Sequence, residues 1–438
     1  MSEDGGSDAS GGGSESGLRA RAVAITRRLT HASATERLLI SGSALLLSIV
    51  IGFFLILAAG RMTACQSAAY SVAGVGFCYD PFVVYDRLFL GAFGDVLTDP
   101  LNGQFATTLA ETTVLLFTGL AVAVAFKAGI FNIGGQGQLV VGALATALSV
   151  LYASSLVSGV LGTLVLVPFG LVVGALAGGL FGAIPGALKA YADANEVITT
   201  IMLNFVATSV ALYLVQNHFK DPDSFATQTV ALPDYAVFPH VVFPARANVS
   251  LLAFAFALVL AVAMAYLLAR TAFGYDLRTS GLQPEAAEYG GVDAPRTIVA
   301  SMALSGALAG IGGAVYVLMI LGNFQVGVPD YGFDGITVSI LAGNNPLGVG
   351  AAALLFGVLK SGSIVVDVGT DVPPQLVGVL RGLIVLFVAM PEFFRMAGQY
   401  AGLDRPEGET VATDGGRVVD GAVETGDDAA SDSGGERR

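Results

Sequence analysis

GLQPEAAEYGG, residues Gly281–Gly291, is a polar connection between two strongly apolar blocks, Leu251–Leu268 and Ile298–Leu321. Pro284 suits the first position of a helix, Glu285 to Tyr289 continue it, and Gly290 with Gly291 are the residues expected past its end. The stretch therefore predicts about two turns of helix lying between two membrane spans. Its acidic end sits at the N-terminus, where the helix dipole favours negative charge. A short water-facing helix between two spans has a use when something on the aqueous side grips it.

Outward from that stretch the chain is greasy. Its 438 residues are 54% hydrophobic and 13% charged, whereas soluble domains carry about a quarter charged residues. Apolar runs of about 20 residues recur, and in lipid such runs satisfy their backbone as helices. The expected fold class is all-α: a polytopic membrane protein of about ten transmembrane helices with disordered acidic tails. Most of the formal net charge of −13 lies in Met1–Gly17 and Asp404–Arg438, which hold too few large apolar residues to offset chain entropy. The polar stretch before Leu38 is too long and acidic for a cleavable leader. An acidic chain offers no basic face to nucleic acid, so no such partner is expected.

The predicted organisation has three parts: a basic, disordered N-terminal segment (1–37), a transmembrane domain (38–396) and an acidic tail (397–438). The first span, Leu38–Gly60, follows Arg19, Arg21, Arg27, Arg28 and Arg37, which places the N-terminus inside. After a moderately apolar external segment with an interfacial helix near Tyr79–Phe93 come Phe105–Phe126, Ile133–Ala153, Leu156–Ala183 and Val197–Val215. Gln216–Asn248 is a long external loop. Leu251–Leu268, Ile298–Leu321, two shorter pieces near Phe333–Gly343 and Leu347–Val366, and Gln375–Met390 complete the set. With both termini cytoplasmic, every short basic loop falls on one side.

Polar residues at membrane depth are costly and by default mark a path. One run is Gly129–Gln138, where Asn132, Gln136 and Gln138 bring amides and the glycines let the chain bend. Asn132 and Gln136 fit an interfacial capping position equally well. A second is Asp193–Asn204: Asn195 and Glu196 open a helix, and Thr200 and Asn204 follow along the face of Glu196. Glu196 fits a cap or dipole partner better than a proton carrier. A third is Asp334 with Asn344, Asn345 and Pro346, where a broken helix exposes backbone groups. Lys360 and Arg381 can snorkel or pair with Asp367 or Asp371. Amides with sparse charge suit a neutral polyhydroxylated or heterocyclic solute. The glycines at Gly170/Gly174/Gly178 and Gly306/Gly310/Gly313 read as helix contacts.

Cys65 and Cys78 share a polar loop and can form a disulfide if it faces outside; two unpaired thiols fit as well. No metal-ligand cluster is legible, and no catalytic residue or cofactor is expected. The chain lacks a GxxxxGK[ST] phosphate loop, so it does not hold ATP in that manner.

FKAGIFNIGGQGQLVVGALATA (Phe126–Ala147), ANEVITTIMLNFVA (Ala194–Ala207), PEAAEYGGV (Pro284–Val292), Ser305–Leu318 and AGNNPLGVGAAALLFGVLKSG (Ala342–Gly362) together resemble ABC-type importer permeases for nucleosides and simple sugars. These belong to the branched-chain amino acid and ribose permease superfamily. The resemblance runs over most of Leu38–Arg395 and implies a plasma-membrane half-channel surrounded by membrane lipid. Its implied partners are a second permease subunit, identical or similar, an ABC ATPase subunit and an external solute-binding lipoprotein. By position it implies coupling to the ATPase through Glu285, Ala286, Ala287 and Gly291. It also implies a translocation path near Asn132, Gln136, Gln138, Asn195, Glu196 and Asn204. Asn344-Asn345 departs from the nucleoside branch, whose members often carry a basic or His residue nearby, so nucleoside and sugar both stay open. The alternatives are a branched-chain amino acid permease and an ion-coupled secondary transporter using Glu196, Asp334 and Lys360. The sequence shows no acid–base relay of the kind such carriers use.

Overall fold

The computed structural model describes residues 34–244 and 247–400. The acidic tails and their expected disorder lie outside the described residues. Thirteen helices are described: α1 (Ala34–Met62), α2 (Pro81–Phe89), α3 (Gly103–Lys127), α4 (Gly135–Ala153), α5 (Gly159–Ala192), α6 (Glu196–Leu214), α7 (Leu251–Arg270), α8 (Ala272–Leu282), α9 (Pro284–Tyr289), α10 (Ala294–Val315), α11 (Tyr331–Leu341), α12 (Pro346–Gly369) and α13 (Pro374–Tyr400).

Among the described residues, eight helices are long and apolar enough to cross a membrane. The remaining two predicted spans are α13, whose apolar part is Pro374–Met390, and α11. With 11 residues, α11 is about 16 Å long, roughly half of a bilayer core. The central post is α3. Its second half, 114–125, is buried on every side, and 89% of its membrane window is buried in the protein against 17% for α1. A helix with no lipid-facing side belongs in the core.

Around that post, α4, α5 and α10 pack closely because glycines line their contacts. A Cβ built on Gly310 would strike the carbonyl oxygen of Gly174, and one on Gly182 would lie 2.6 Å from the carbonyl oxygen of Met302. Gly142 faces Gly310 in the same way. In lipid there is no hydrophobic drive between helices, so close backbone approach supplies the attraction. α5 also runs through Pro168 and Pro185 to Ala192, beyond the end expected at Ala183. Neighbouring helices hold the segment, so the lost bonds do not end it.

Two further features depart from the sequence reading. Residues 272–282, given no element in the sequence reading, form α8, which begins at Thr271 accepting from the amide of Gly274. Gly274 and Gly281 lower its intrinsic propensity, but both are needed for packing: Gly274 lies against Leu267 and Leu268, and Gly281 against Ala128 and Gly129. Outside the spans, the interfacial helix is shorter than expected, at Pro81–Phe89. Beside it Cys65 and Cys78 are joined by a disulfide around a hairpin, Tyr70–Val72 with Val75–Phe77, that turns at Ala73 and Gly74.

The glycine contacts set a test of the bundle. Gly310→Val is expected to lose about 1–3 kcal/mol of stability through backbone overlap, read as a fall of the thermal midpoint in detergent. A methyl group added at Gly350 would meet nothing within 4 Å, so Gly350→Ala is expected to stay within about 0.5 kcal/mol.

Candidate functional site

The site begins where α3 ends. Beyond Lys127 the chain turns at Gly129, whose φ of +69° is open to glycine, and doubles back along α3. The rings of Phe131 and Phe126 lie 4.5 Å apart. Asn132 then reaches Ser305 of α10, whose hydroxyl donates to the carbonyl of Ala121 at 2.6 Å. Ala121 lies six residues before Lys127, so the returning segment climbs about 9 Å into the bundle. α4 therefore starts inside the protein and not at its rim. The interfacial placement left open for Asn132 and Gln136 is not the one observed: they are 0% and 6% exposed.

A helix that starts at depth must find partners for its first amides. Gly134, at the cap position, has no side chain to offer. Its own N–H donates to Asn132 Oδ1 at 2.9 Å, and the amides of Asn132 and Gln138 exchange two hydrogen bonds at 2.9 and 3.2 Å. Asn204, from α6, accepts from the Gly137 N–H at 2.7 Å and donates to the Ile133 carbonyl at 2.9 Å. Gln136 does the same service for a second helix. Its Oε1 accepts from the Gly332 N–H at 2.8 Å, at the start of α11, and its Nε2 donates to the Pro329 carbonyl at 3.0 Å. The two N-termini are packed so closely that a Cβ on Gly332 would collide with the Gln136 backbone.

Between these ends and α6 lies a cavity of about 270 Å³, lined by Gln136, Val140, Ile201, Asn204, Phe205, Thr208, Phe324, Val326, Asp330 and Phe333 among others. Its walls are mostly apolar, with three aromatic rings and two amide side chains. The long loop after α6 covers one end. Thr229 N–H donates to the Phe324 carbonyl at 2.9 Å, Val326 N–H to Thr227 at 3.0 Å, and Leu232 N–H to Gly322 at 2.7 Å. Short π-helical turns at Val215–Phe219 and Tyr316–Leu321 feed into this ribbon.

The structure thus gathers Asn132, Gln136, Gln138 and Asn204, but not the other expected path residues. Asn195 caps α6, accepting from the amides of Val197 and Ile198, and Glu196 pairs with Lys189 at 3.2 Å. Both lie about 12 Å along the helix from Asn204. Asn344 (φ +56°) and Asn345 form the turn between α11 and α12, where Asn345 accepts from Leu347 N–H. Asn345 borders a different cavity, of about 460 Å³, with Lys127 and Arg278.

The Gly281–Gly291 stretch forms α9 as expected, stopped by Gly290 and by Gly291 at φ +84°. Ala287 is buried, whereas Glu285, Ala286 and Gly291 are exposed, with Leu282 and Tyr289 at 87% and 96% exposure. A groove of about 300 Å³ separates α9 from α8. Large apolar side chains held out beside such a groove have the character of a docking surface.

One cluster was not read from the sequence. Lys360 does not pair with Asp367 or Asp371. Its side chain turns inward to Asp334 at 3.1 Å and Glu111 at 3.8 Å, over the ring of Tyr331 at 3.6 Å. An acid–base cluster at depth, expected to be absent, is therefore present. The missed signal was Glu111, the one carboxylate within the apolar run Phe105–Phe126.

Comparison with known proteins identifies the family. A family model described as branched-chain amino acid transport system / permease component matches residues 104–389. The nucleoside ABC transporter permease protein NupB of Lactococcus lactis is 34% identical over 72% of this chain and 85% of its own. The guanosine ABC transporter permease protein NupP of Bacillus subtilis is 32% identical over 83% and 95%. The glucose ABC transporter permease protein TsgB13 of Haloferax volcanii is 31% identical over 69% and 81%. No solved structure matches.

Asn195 and Asn204 separate capping from cavity lining. Both Asn→Ala variants are expected to lose about 1–2 kcal/mol of stability, measured by thermal melting. Only Asn204→Ala, which also leaves Gly137 N–H and Ile133 C=O unpaired at the cavity wall, is expected to lower solute uptake at equal membrane abundance.

Proposed function

This chain belongs to the permease-component family of branched-chain amino acid transport systems, and on that premise we propose that it carries nucleosides inward as the membrane subunit of an ABC importer. As a family member it is a transport component and not an enzyme, and it works with an ATPase. The nucleoside reading is supported by relatives named for nucleoside and guanosine transport and, above all, by the cavity at the two helix starts. Phe205, Phe324 and Phe333 offer faces to a flat heterocycle. Asn204 Nδ2 carries a second N–H beyond the one given to Ile133, suited to a hydroxyl or ring acceptor. A simple sugar is the second reading, favoured by the glucose permease relative.

We place the ATPase on α9 at Glu285, Ala286, Ala287 and Gly291, with the termini on the same, cytoplasmic, side. A second permease subunit would complete the pore, and an external binding lipoprotein would deliver the solute. A route for the stroke is built into the backbone. α9 follows α8 across the single residue Gln283, and Gly281 at the end of α8 lies directly against Gly129. Gly129 is the turn from which the returning segment carries the start of α4 to the cavity. A push on α9 reaches the returning segment through the close contact of Gly281 with Gly129, and the buried hydrogen bonds of Asn132 tie that segment to the start of α4.

Glu285→Arg is expected to remove stimulation of the partner ATPase and coupled uptake while the thermal midpoint stays unchanged; normal coupled uptake in that variant contradicts the docking assignment. In the native importer, excess unlabelled guanosine is expected to suppress radiolabelled nucleoside uptake by about tenfold or more at saturation, and glucose to leave it unchanged. The reverse pattern would favour the sugar.

A further inference from the structure

The ionic cluster behind the cavity wall has a geometry that transport can use. Asp330 and Phe333 of the α11 region line the cavity, and the adjoining Asp334 meets Lys360 of α12 at 3.1 Å. Glu111 of α3 approaches the same ammonium, 3.8 Å away. The side chains of Lys360 and Glu111 are only 14% and 13% exposed. Glu111 Oε2 is buried and accepts no hydrogen bond. Arg381 of α13 adds its charge near Glu111, and Tyr331 and Tyr316 are the other titratable side chains facing it. Glu111 and Asp334 thus share the Lys360 ammonium, and Arg381 acts on Glu111 and on Asp367, where an unpaired charge is expensive.

α11 is the short, half-membrane helix that carries both cavity-wall Phe333 and Asp334. Its 11 residues are too few to be a stable helix alone, and its N-terminus hangs on Gln136. Any displacement would strip Lys360 of Asp334, which in a low-dielectric interior is strongly opposed unless another acceptor stands ready. Glu111 Oε2 is that acceptor: on a different helix, already close, and holding no hydrogen bond.

We propose that Lys360 is a positioning residue whose ammonium exchanges between Asp334 and Glu111 as α11 shifts, so that the cavity wall can move without unpairing a buried charge. In the present structure the lysine is on Asp334 and α11 is held. With the lysine on Glu111, α11 is released. The proposal rests on reading the cavity as the solute path, but its first test does not need transport.

Cys65 and Cys78 are the protein's two cysteines and are bonded to each other, so Phe333→Cys introduces a single thiol at the cavity wall. Its labelling rate by a small polar maleimide reports the position of α11. Asp334→Asn, close to isosteric, is expected to raise that rate by about tenfold, and Glu111→Gln to leave it within about twofold, at matched thermal midpoints. In the importer with Phe333 intact, Glu111→Gln is expected to slow solute turnover by about tenfold while half-saturation changes by less than about twofold. A rise of less than about threefold in Asp334→Asn, or an equal rise in Glu111→Gln, overturns the proposal. So does full turnover in Glu111→Gln. If the native importer moves no solute, the transport reading falls, and the labelling arms still decide the exchange.

Discussion

A helix that begins inside a membrane leaves its first N–H groups where no water can reach them. Among the described helices α4 and α11 do so, and much of the architecture answers that constraint. Asn204 is brought from α6 to one of the α4 amides, Asn132 turns back to the Gly134 amide, and Gln136 leaves the first turn of α4 to receive Gly332 of α11. The bonds of Asn204 and Gln136 cross between elements far apart in sequence, as does that of Asn132 to Ser305. The polar network therefore specifies how α4, α6, α10 and α11 meet, and it leaves two amide side chains on the wall of a cavity in an otherwise apolar interior.

Close packing makes the network possible. The three amides can reach their partners because α4, α5 and α10 approach through glycine, and because Gly332 lets two helix starts touch. The same residue type brings Gly129 against Gly281, so that the returning segment touches the end of α8. Close backbone contact at one end and a hydrogen-bonded cavity at the other are the two features on which the proposed coupling rests.

The sequence carried the parts whose signal is local. Apolar runs gave the spans, Pro284 and the Gly290-Gly291 pair gave both ends of α9, and amides crowded among glycines drew attention to Gly129–Gln138. Depth was not legible. Where α4 starts depends on a turn at Gly129 held by Gly281, a contact between distant parts of the chain, and only that contact turns Asn132 from an interfacial cap into a buried one. The run Asp193–Asn204 divides for the same reason: Asn195 and Glu196 stay at the helix mouth, while Asn204, about two turns on, reaches the cavity. α8 was hidden because its two glycines look like loop and act as packing. Glu111 was passed over because a lone carboxylate names no partner, and its lysine comes from a helix near the far end of the chain.

The central claim is that solute passes between the starts of α4 and α11 and the face of α6. It is tested most directly by photo-crosslinking an azido-substituted nucleoside to the intact importer and mapping the adducts by mass spectrometry. The account predicts adducts within 136–140, 201–208 and 324–333. Adducts confined to 195–196 or to 344–347, with the cavity residues unlabelled, would contradict it.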